Sequence, residues 1–398
     1  MKEKSFNKSE TQLIQAGRSH TYAPQQVNPT VARASTILFE SVAQMDAAAR
    51  DKFRSVPYYG RNGTSTTFAF AEAMAELDNA EGCYVYPCGT AAITGSLLAF
   101  LNSGDHLLVV DSVYEPTRHF CNNTLTRLGI ETTYYDPLIG AGIEQLVRDN
   151  TRVIFLESPG SLSMEVQDVP AIVKVAKAKG ITTIIDNTYA TPWNFKPLDF
   201  GVDISVQSAT KYINGHSDVM LGIAAANQTH WPALQQRSHE MAFCASPDDI
   251  YTALRGSRTL AIRLREHASR ALRIAEWLQS RSEIDHVRHP AFSSCPGHEF
   301  YQRDFSGGNG LFSFVLKGGD KPALTEMLDG MRHFKMGFSW GGFESLILGV
   351  TDLQSKRSAT NWQYSGPLVR LHIGLEDPDD LIDDLADGLD RFIRAMPQ

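Results

Sequence analysis

From about residue 65 onward the apolar positions follow two alternating rhythms. FAFAEAMAELDNAEG (68–82) and CGTAAITGSLLAFLNSG (88–104) carry apolar residues at helical spacing and end in glycine. VPAIVKVAKAKG (169–180) reads as an amphipathic helix closed by Gly180. HLLVVDS, TRVIFLES and ITTIIDNT are short apolar runs, each ending in an acidic residue followed by a small hydroxyl or amide residue. Apolar strands separated by helices predict an α/β protein with a mostly parallel sheet. In such sheets the polar residues at strand C-terminal ends face the ligand crevice. Asp111, Glu157, Asp186 and the segment SATK (208–211) are therefore expected to converge.

After about Tyr251 the pattern changes. A long helical stretch through Leu278 precedes three β-like runs, GLFSFVL, SLILGV and LVRLHIGL, and an acidic final helix. That order predicts a second, smaller α+β domain. The expected organisation is an N-terminal arm over 1–60, a large domain over 61–256 and a C-terminal domain over 257–398. The arm is polar and broken by Pro24, Pro29 and Pro57, as if it lay on a neighbouring subunit.

Composition narrows the function classes. The chain has 398 residues, is 42% hydrophobic and carries a formal net charge of -8, which disfavours a nucleic-acid role. No apolar run approaches the ~18 residues a membrane span needs, and MKEKSFNKSETQLIQ lacks the apolar core of a secretory signal. The five cysteines are scattered and form no CxxC, so neither a disulfide framework nor a zinc site is signalled. HEFYQ lacks the second histidine of a HExxH site, and no phosphate-loop or dinucleotide-binding glycine motif is present. A soluble, cytoplasmic protein without a metal is expected.

The candidate chemistry starts at Lys211, in SVQSATKYINGH. It is either a turn lysine at the surface or a partly desolvated amine of lowered pKa, able to form a Schiff base. Ser208, Thr210 and Asn214 around it could bind an anion. Asp186 follows the apolar run ITTII, and is either a turn cap or a buried anion that keeps a ring nitrogen protonated. Gly89 and Thr90 open a helix, where free N–H groups favour a phosphate. Tyr114 could lie over a planar cofactor or simply be a loop tyrosine. Arg370 sits inside an apolar strand and needs an anionic partner, either an internal acid or a substrate carboxylate.

Taken together, DNTYATP, SATKYINGHSD and RLHIGLED resemble the Cys/Met-metabolism pyridoxal phosphate enzymes of the aspartate-aminotransferase-like fold (fold type I). The resemblance runs over nearly the full length. It implies that Lys211 carries the cofactor and moves protons, Asp186 pairs with the pyridinium nitrogen, and Tyr114 stacks on the ring, touches the substrate and helps deprotonate its incoming amine. It also implies that Gly89, Thr90, Ser208 and Thr210 hold the phosphate, joined by Tyr59 and Arg61 from a neighbouring subunit of a homotetramer. Arg370, with Ser339 and Trp340, would bind the substrate α-carboxylate. ESPGS (157–161) and SWGG (339–342) resemble the β-eliminating carbon–sulfur lyases, which cleave L-cystathionine to a thiol, pyruvate and ammonia; cystine and other S-substituted cysteines are further candidates. TYATP and KYINGHSD resemble the γ-active branch, so γ-elimination or γ-replacement is the alternative. Asn62 and His119 stand where the β-eliminating members carry an arginine and an aspartate, and Phe338 replaces a tyrosine, which leaves the far end of the substrate pocket open. A regulatory protein that keeps the cofactor would show erosion of Lys211, Asp186 or Arg370, and none is eroded.

Overall fold

The computed structural model describes residues 9–18, 22 and 25–397. Seven strands form the first sheet: β1 (Gly82–Tyr86), β2 (His106–Val110), β3 (Glu131–Tyr135), β4 (Thr151–Glu157), β5 (Thr182–Asp186), β6 (Ile204–Ser208) and β7 (Gly222–Ala226). Their order is β1-β7-β6-β5-β4-β2-β3. β3, β2, β4, β5 and β6 run parallel to one another, whereas β7 is antiparallel to both β6 and β1. Strands buried on both faces explain the unbroken apolar runs, since every residue of β2 and nearly every residue of β4 and β5 is covered.

β7 reads GIAAA and β1 reads GCYVY. Small residues give β7 little of the branched or aromatic signal that marks a strand, which is why the hydrophobic pattern did not single it out. The Gly89–Phe100 helix, apolar nearly all round, lies buried over β6 and β7.

A second sheet takes its strands from the C-terminal part of the chain: β8 (Ile284–Arg288), β9 (Leu311–Leu316), β10 (Lys335–Met336), β11 (Leu346–Val350) and β12 (Leu368–His372), in the order β10-β11-β12-β9-β8. The final helix, Pro378–Ala395, covers it. Asp377 caps its start by accepting from Asp379 N at 2.9 Å, and acidic residues fill its first turn, where the helix dipole favours them. Leu381, Leu385, Leu389 and Phe392 recur on one face and are buried, each contributing roughly 1.5–3 kcal/mol relative to exposure.

The helical stretch expected through Leu278 is two helices, Pro247–Ser257 and Leu260–Gln279. Across the break the buried Arg263 donates to Gly256 O, near the end of the first helix, at 2.9 Å and to Ile213 O, in the loop beyond Lys211, at 3.3 Å. Part of the N-terminal arm lies outside the described residues. Its described part includes short helices at Ser9–Gln15 and Val42–Arg50. Among the described residues no helix is long and apolar enough to cross a membrane.

Candidate active site

β4, β5 and β6 are neighbours, so their C-terminal ends bring Glu157, Asp186 and Ser208 side by side. A cavity of about 860 Å³ opens there, near the top of the roughly 300–1,000 Å³ usual for ligand sites. Gly89, Thr90, Tyr114, Asp186, Ser208, Thr210, Lys211, Ser339, Trp340 and Arg370 all border it. Ten residues, the first at position 89 and the last at 370, thus meet in one place.

Lys211 stands three residues beyond the end of β6, its backbone N–H donating to Ser208 O at 3.1 Å. Its Nζ donates to Ser339 Oγ at 2.6 Å and lies 5.4 Å from the centre of the Trp340 ring. Burial, reinforced by the Arg370 guanidinium, pushes its amine down to about 8, against a smaller pull from Asp186. A lysine in that state is a usable nucleophile and base near neutrality. Behind it, the Tyr212 ring packs between Trp340 at 5.5 Å and His372 at 5.8 Å, and the Tyr212 hydroxyl accepts from Gly310 N at 3.0 Å. That wall fixes the loop that carries the amine.

Asp186 is buried at the end of β5 and accepts from Thr188 N at 2.9 Å. Desolvation raises its pKa, and the Thr188 hydrogen bonds and Lys211 only partly oppose this. Glu157 is its register partner on β4. Burial and the neighbouring Asp186 hold the Glu157 carboxyl well above its usual range, although it accepts from Tyr114 N at 2.7 Å. Two adjoining desolvated carboxyls, whose nearby cations only partly offset the burial, are costly in a protein's interior. They fit a ligand that brings its own positive charge to Asp186.

Arg370 is 9% exposed in the middle of β12. It makes long hydrogen bonds, 3.4 Å each, to Gly337 O and Ser339 O, and no acidic side chain lies within salt-bridge distance among the described residues. Burial pushes it down to about 10. Of the two partners open to Arg370, an internal acid is therefore ruled out within the described chain. Its free fork faces the cavity and suits an external carboxylate.

The start of the Gly89–Phe100 helix turns its first N–H groups toward the same space. A Cβ on Gly89 would stand 2.6 Å from Ser208 Cβ and 2.7 Å from its Oγ, so the backbone approaches closely only because the residue is glycine. Ser208 N donates to Thr188 Oγ1 at 2.8 Å. The Thr210 hydroxyl donates to Leu221 O at 3.1 Å and accepts from Leu221 N at 2.9 Å. Its proton is therefore already committed to the fold.

Asp111 does not join the others. Its carboxylate accepts from Arg118 Nη2 at 2.7 Å, from the backbone N–H groups of Ser358, Ala359 and Thr360 at 2.9–3.1 Å, and from the Thr360 hydroxyl at 2.7 Å. The strand-end rule failed here because these donors, about 250 residues downstream, draw the side chain away from the crevice. Tyr59 and Arg61 likewise stand away from the cavity of their own chain: Tyr59 is 44% exposed, and Arg61 Nη1 donates to His239 O at 2.9 Å beside a separate, smaller pocket that Asn62 also borders. His119 and Phe338 do border the main cavity, Phe338 at 90% exposure.

Several lining residues carried no signal in the sequence. Glu115, Asp352, Ser355 and Lys356 form part of the rim, and Lys356 Nζ is ion-paired to Glu115. Their separation along the chain hides the pairing.

A family model described as Cys/Met metabolism PLP-dependent enzyme matches residues 10–390. The chain is 46% identical to cystathionine beta-lyase MetC of Escherichia coli (strain K12), covering 97% of this chain and 99% of that protein. It is 44% identical to cystathionine beta-lyase of Haemophilus influenzae over 96% of this chain and 98% of that one. Among solved structures, cystathionine gamma synthase from Xanthomonas oryzae pv. oryzae, in complex with aminoacrylate and cysteine, superposes with a TM-score of 0.88 at 30% identity, covering 98% of this chain and 100% of that chain. The residues present fit pyridoxal phosphate: a desolvated amine at Lys211, a buried anion at Asp186, and a glycine-lined helix start.

Proposed function

The chain belongs to the Cys/Met metabolism PLP-dependent enzyme family and is a pyridoxal phosphate-dependent carbon–sulfur lyase; we propose that it cleaves L-cystathionine by β-elimination, releasing a thiol, pyruvate and ammonia. The observation that carries this reading is the placement of Lys211 and Arg370 on one cavity, with the amine at about 8 and the guanidinium free of an acid partner among the described residues.

Bound pyridoxal phosphate supplies an electron sink for the pair left at Cα when its proton departs. Everything else falls to the chain's own residues. Arg370 grips the α-carboxylate and so fixes which Cα bond faces Lys211. The Lys211 amine, neutral above about pH 8, takes the Cα proton and can return one to the leaving sulfur. Ser339 accepts a hydrogen bond from Lys211 at 2.6 Å and limits the arc through which the amine swings. Asp186 offers a buried negative charge to a protonated ring nitrogen. Tyr114, which borders the same cavity, would lay its ring against the cofactor, while Gly89, Thr90 and Ser208 offer donors to a phosphate.

The same reading assigns Tyr59 and Arg61 to a neighbouring subunit's cofactor phosphate, in a homotetramer whose N-terminal arm over 1–60 crosses between subunits. Domains over 61–256 and 257–398 then form the two walls of the site. A cytoplasmic location accords with free amino-acid substrates.

γ-Elimination shares the first proton transfer, and the likeness to a solved cystathionine gamma synthase keeps it in view. Product identity decides between them. With purified enzyme and L-cystathionine, β-elimination gives pyruvate and homocysteine; 2-oxobutyrate and cysteine would overturn the proposal.

A further inference from the structure

We propose that the cavity rim holds a subsite for a second amino-acid head, with Lys356 taking its carboxylate and Glu115 its ammonium group. The inference rests on the carbon–sulfur lyase reading and specifies the far end of the substrate.

One end of the cavity is defined by Arg370 and Lys211, which receive the reacting amino acid. Glu115, His119, Asp352, Ser355 and Lys356 border the same cavity at its rim. Lys356 is ion-paired to Glu115, whose carboxylate is also 3.7 Å from His119 Nε2. The Lys356 side chain is 31% exposed and that of Glu115 48%, so each charge remains open to a ligand as well as to its partner. In that setting the pair adds little to stability. The Lys356 side chain nonetheless holds the Glu115 carboxyl below its ordinary range, so the Glu115 charge is present at neutral pH. An ion pair of this kind is complementary to a zwitterion, which brings a carboxylate and an ammonium group a few bonds apart.

The pair is also held in place. Lys356 closes a short helical turn, Gln354–Lys356, and is followed at once by anchored residues. Arg357 donates to Ser163 Oγ and lies 3.6 Å from Glu165. Ser358, Ala359 and Thr360 donate to Asp111 from their backbones at 2.9–3.1 Å. A binding group set beside fixed points loses little entropy when it engages a ligand. Asp111 is thus a positioning residue for the rim, which gives a use to the carboxylate that turned away from the crevice.

The experiment compares wild type with Lys356→Met on two substrates, L-cystathionine, which has the second head, and S-methyl-L-cysteine, which lacks it. Expected is a rise in KM for L-cystathionine of about tenfold, as for a partly exposed charge-assisted hydrogen bond, with kcat within about twofold and S-methyl-L-cysteine unaffected. Equal effects on both substrates, or no effect on either, would overturn the subsite. Glu115→Gln keeps the shape while removing the charge, and should reproduce the same selectivity; a variant that loses both substrates alike counts against the proposal. If wild type converts L-cystathionine to 2-oxobutyrate instead of pyruvate, the β-elimination reading fails, and the KM comparison on that product still judges the subsite. If wild type makes pyruvate from S-methyl-L-cysteine and binds L-cystathionine no better, the lyase stands and the subsite falls.

Discussion

Lys211 Nζ and Ser339 Oγ meet at 2.6 Å although 128 residues separate them, one beyond the parallel sheet and the other on the approach to β11. The bond ties the buried amine of the large sheet to the C-terminal part of the chain, and Arg370 lies on the same side as Ser339. The first consequence concerns pH. With the amine at about 8, cofactor-free protein should capture pyridoxal phosphate slowly at pH 6.5 and faster as pH rises through about 8, then level off, because only the neutral amine has a free electron pair. The rate of growth of the bound cofactor's visible absorbance measures this; a rate independent of pH between 6.5 and 9 would contradict it.

Asp186 is an acid that burial makes costly to ionise. Its folded pKa is raised, so its ionisation weakens the folded state as pH climbs from the ordinary carboxylate value through the raised one. Asp186→Asn should therefore raise the melting temperature of the cofactor-free protein at pH 7–8, and this gain should vanish near pH 4. Turnover should fall on the order of a hundredfold, since the ring nitrogen loses its anion. A variant less stable than wild type at pH 8 would refute the buried-charge account.

How much of this could be read from the sequence varies with the distance between interacting groups. Lys211, Asp186 and Gly89 were legible because each follows or precedes a local pattern: a strand end, an apolar run, a helix start. Arg370 was legible as a charge inside an apolar strand, though not the absence of an acid partner. Glu115 and Lys356 were not, because their pairing depends on how a loop after β11 folds back over the helix that follows Tyr114. Asp111 obeyed the strand-end rule in position and broke it in direction, since the donors at 358–360 outbid the crevice. β7 escaped notice because alanines carry no pattern.

Arg370→Leu separates substrate binding from cofactor binding. Losing a two-pronged charged contact should raise KM on the order of a hundredfold, with cofactor affinity within about threefold of wild type. Steady-state kinetics and cofactor titration check it. An unchanged KM would remove Arg370 from the substrate site.

Asp111→Ala tests the clamp on the rim loop. Burial pushes the Asp111 carboxyl up, yet hydrogen bonds from Thr360, Ser358 and Arg118 outweigh it and hold its pKa below the ordinary value. The stabilisation is therefore present above the ordinary carboxylate range and lost as pH falls through the lowered pKa. Removing the side chain leaves Arg118 half of a broken buried pair, at a cost of about 3 kcal/mol at pH 7. Denaturant unfolding at pH 7 and pH 3 should show the gap at the first and a smaller one at the second. Equal stability at pH 7 would show the clamp to be idle.

The measurement closest to the central claim is pyruvate release from L-cystathionine by wild type and Lys211→Ala side by side, each supplied with pyridoxal phosphate and matched in folded content by circular dichroism. Pyruvate from wild type and none from Lys211→Ala is the predicted result. Pyruvate at comparable rate from the alanine variant would mean that the proton is moved elsewhere and that the site has been misassigned.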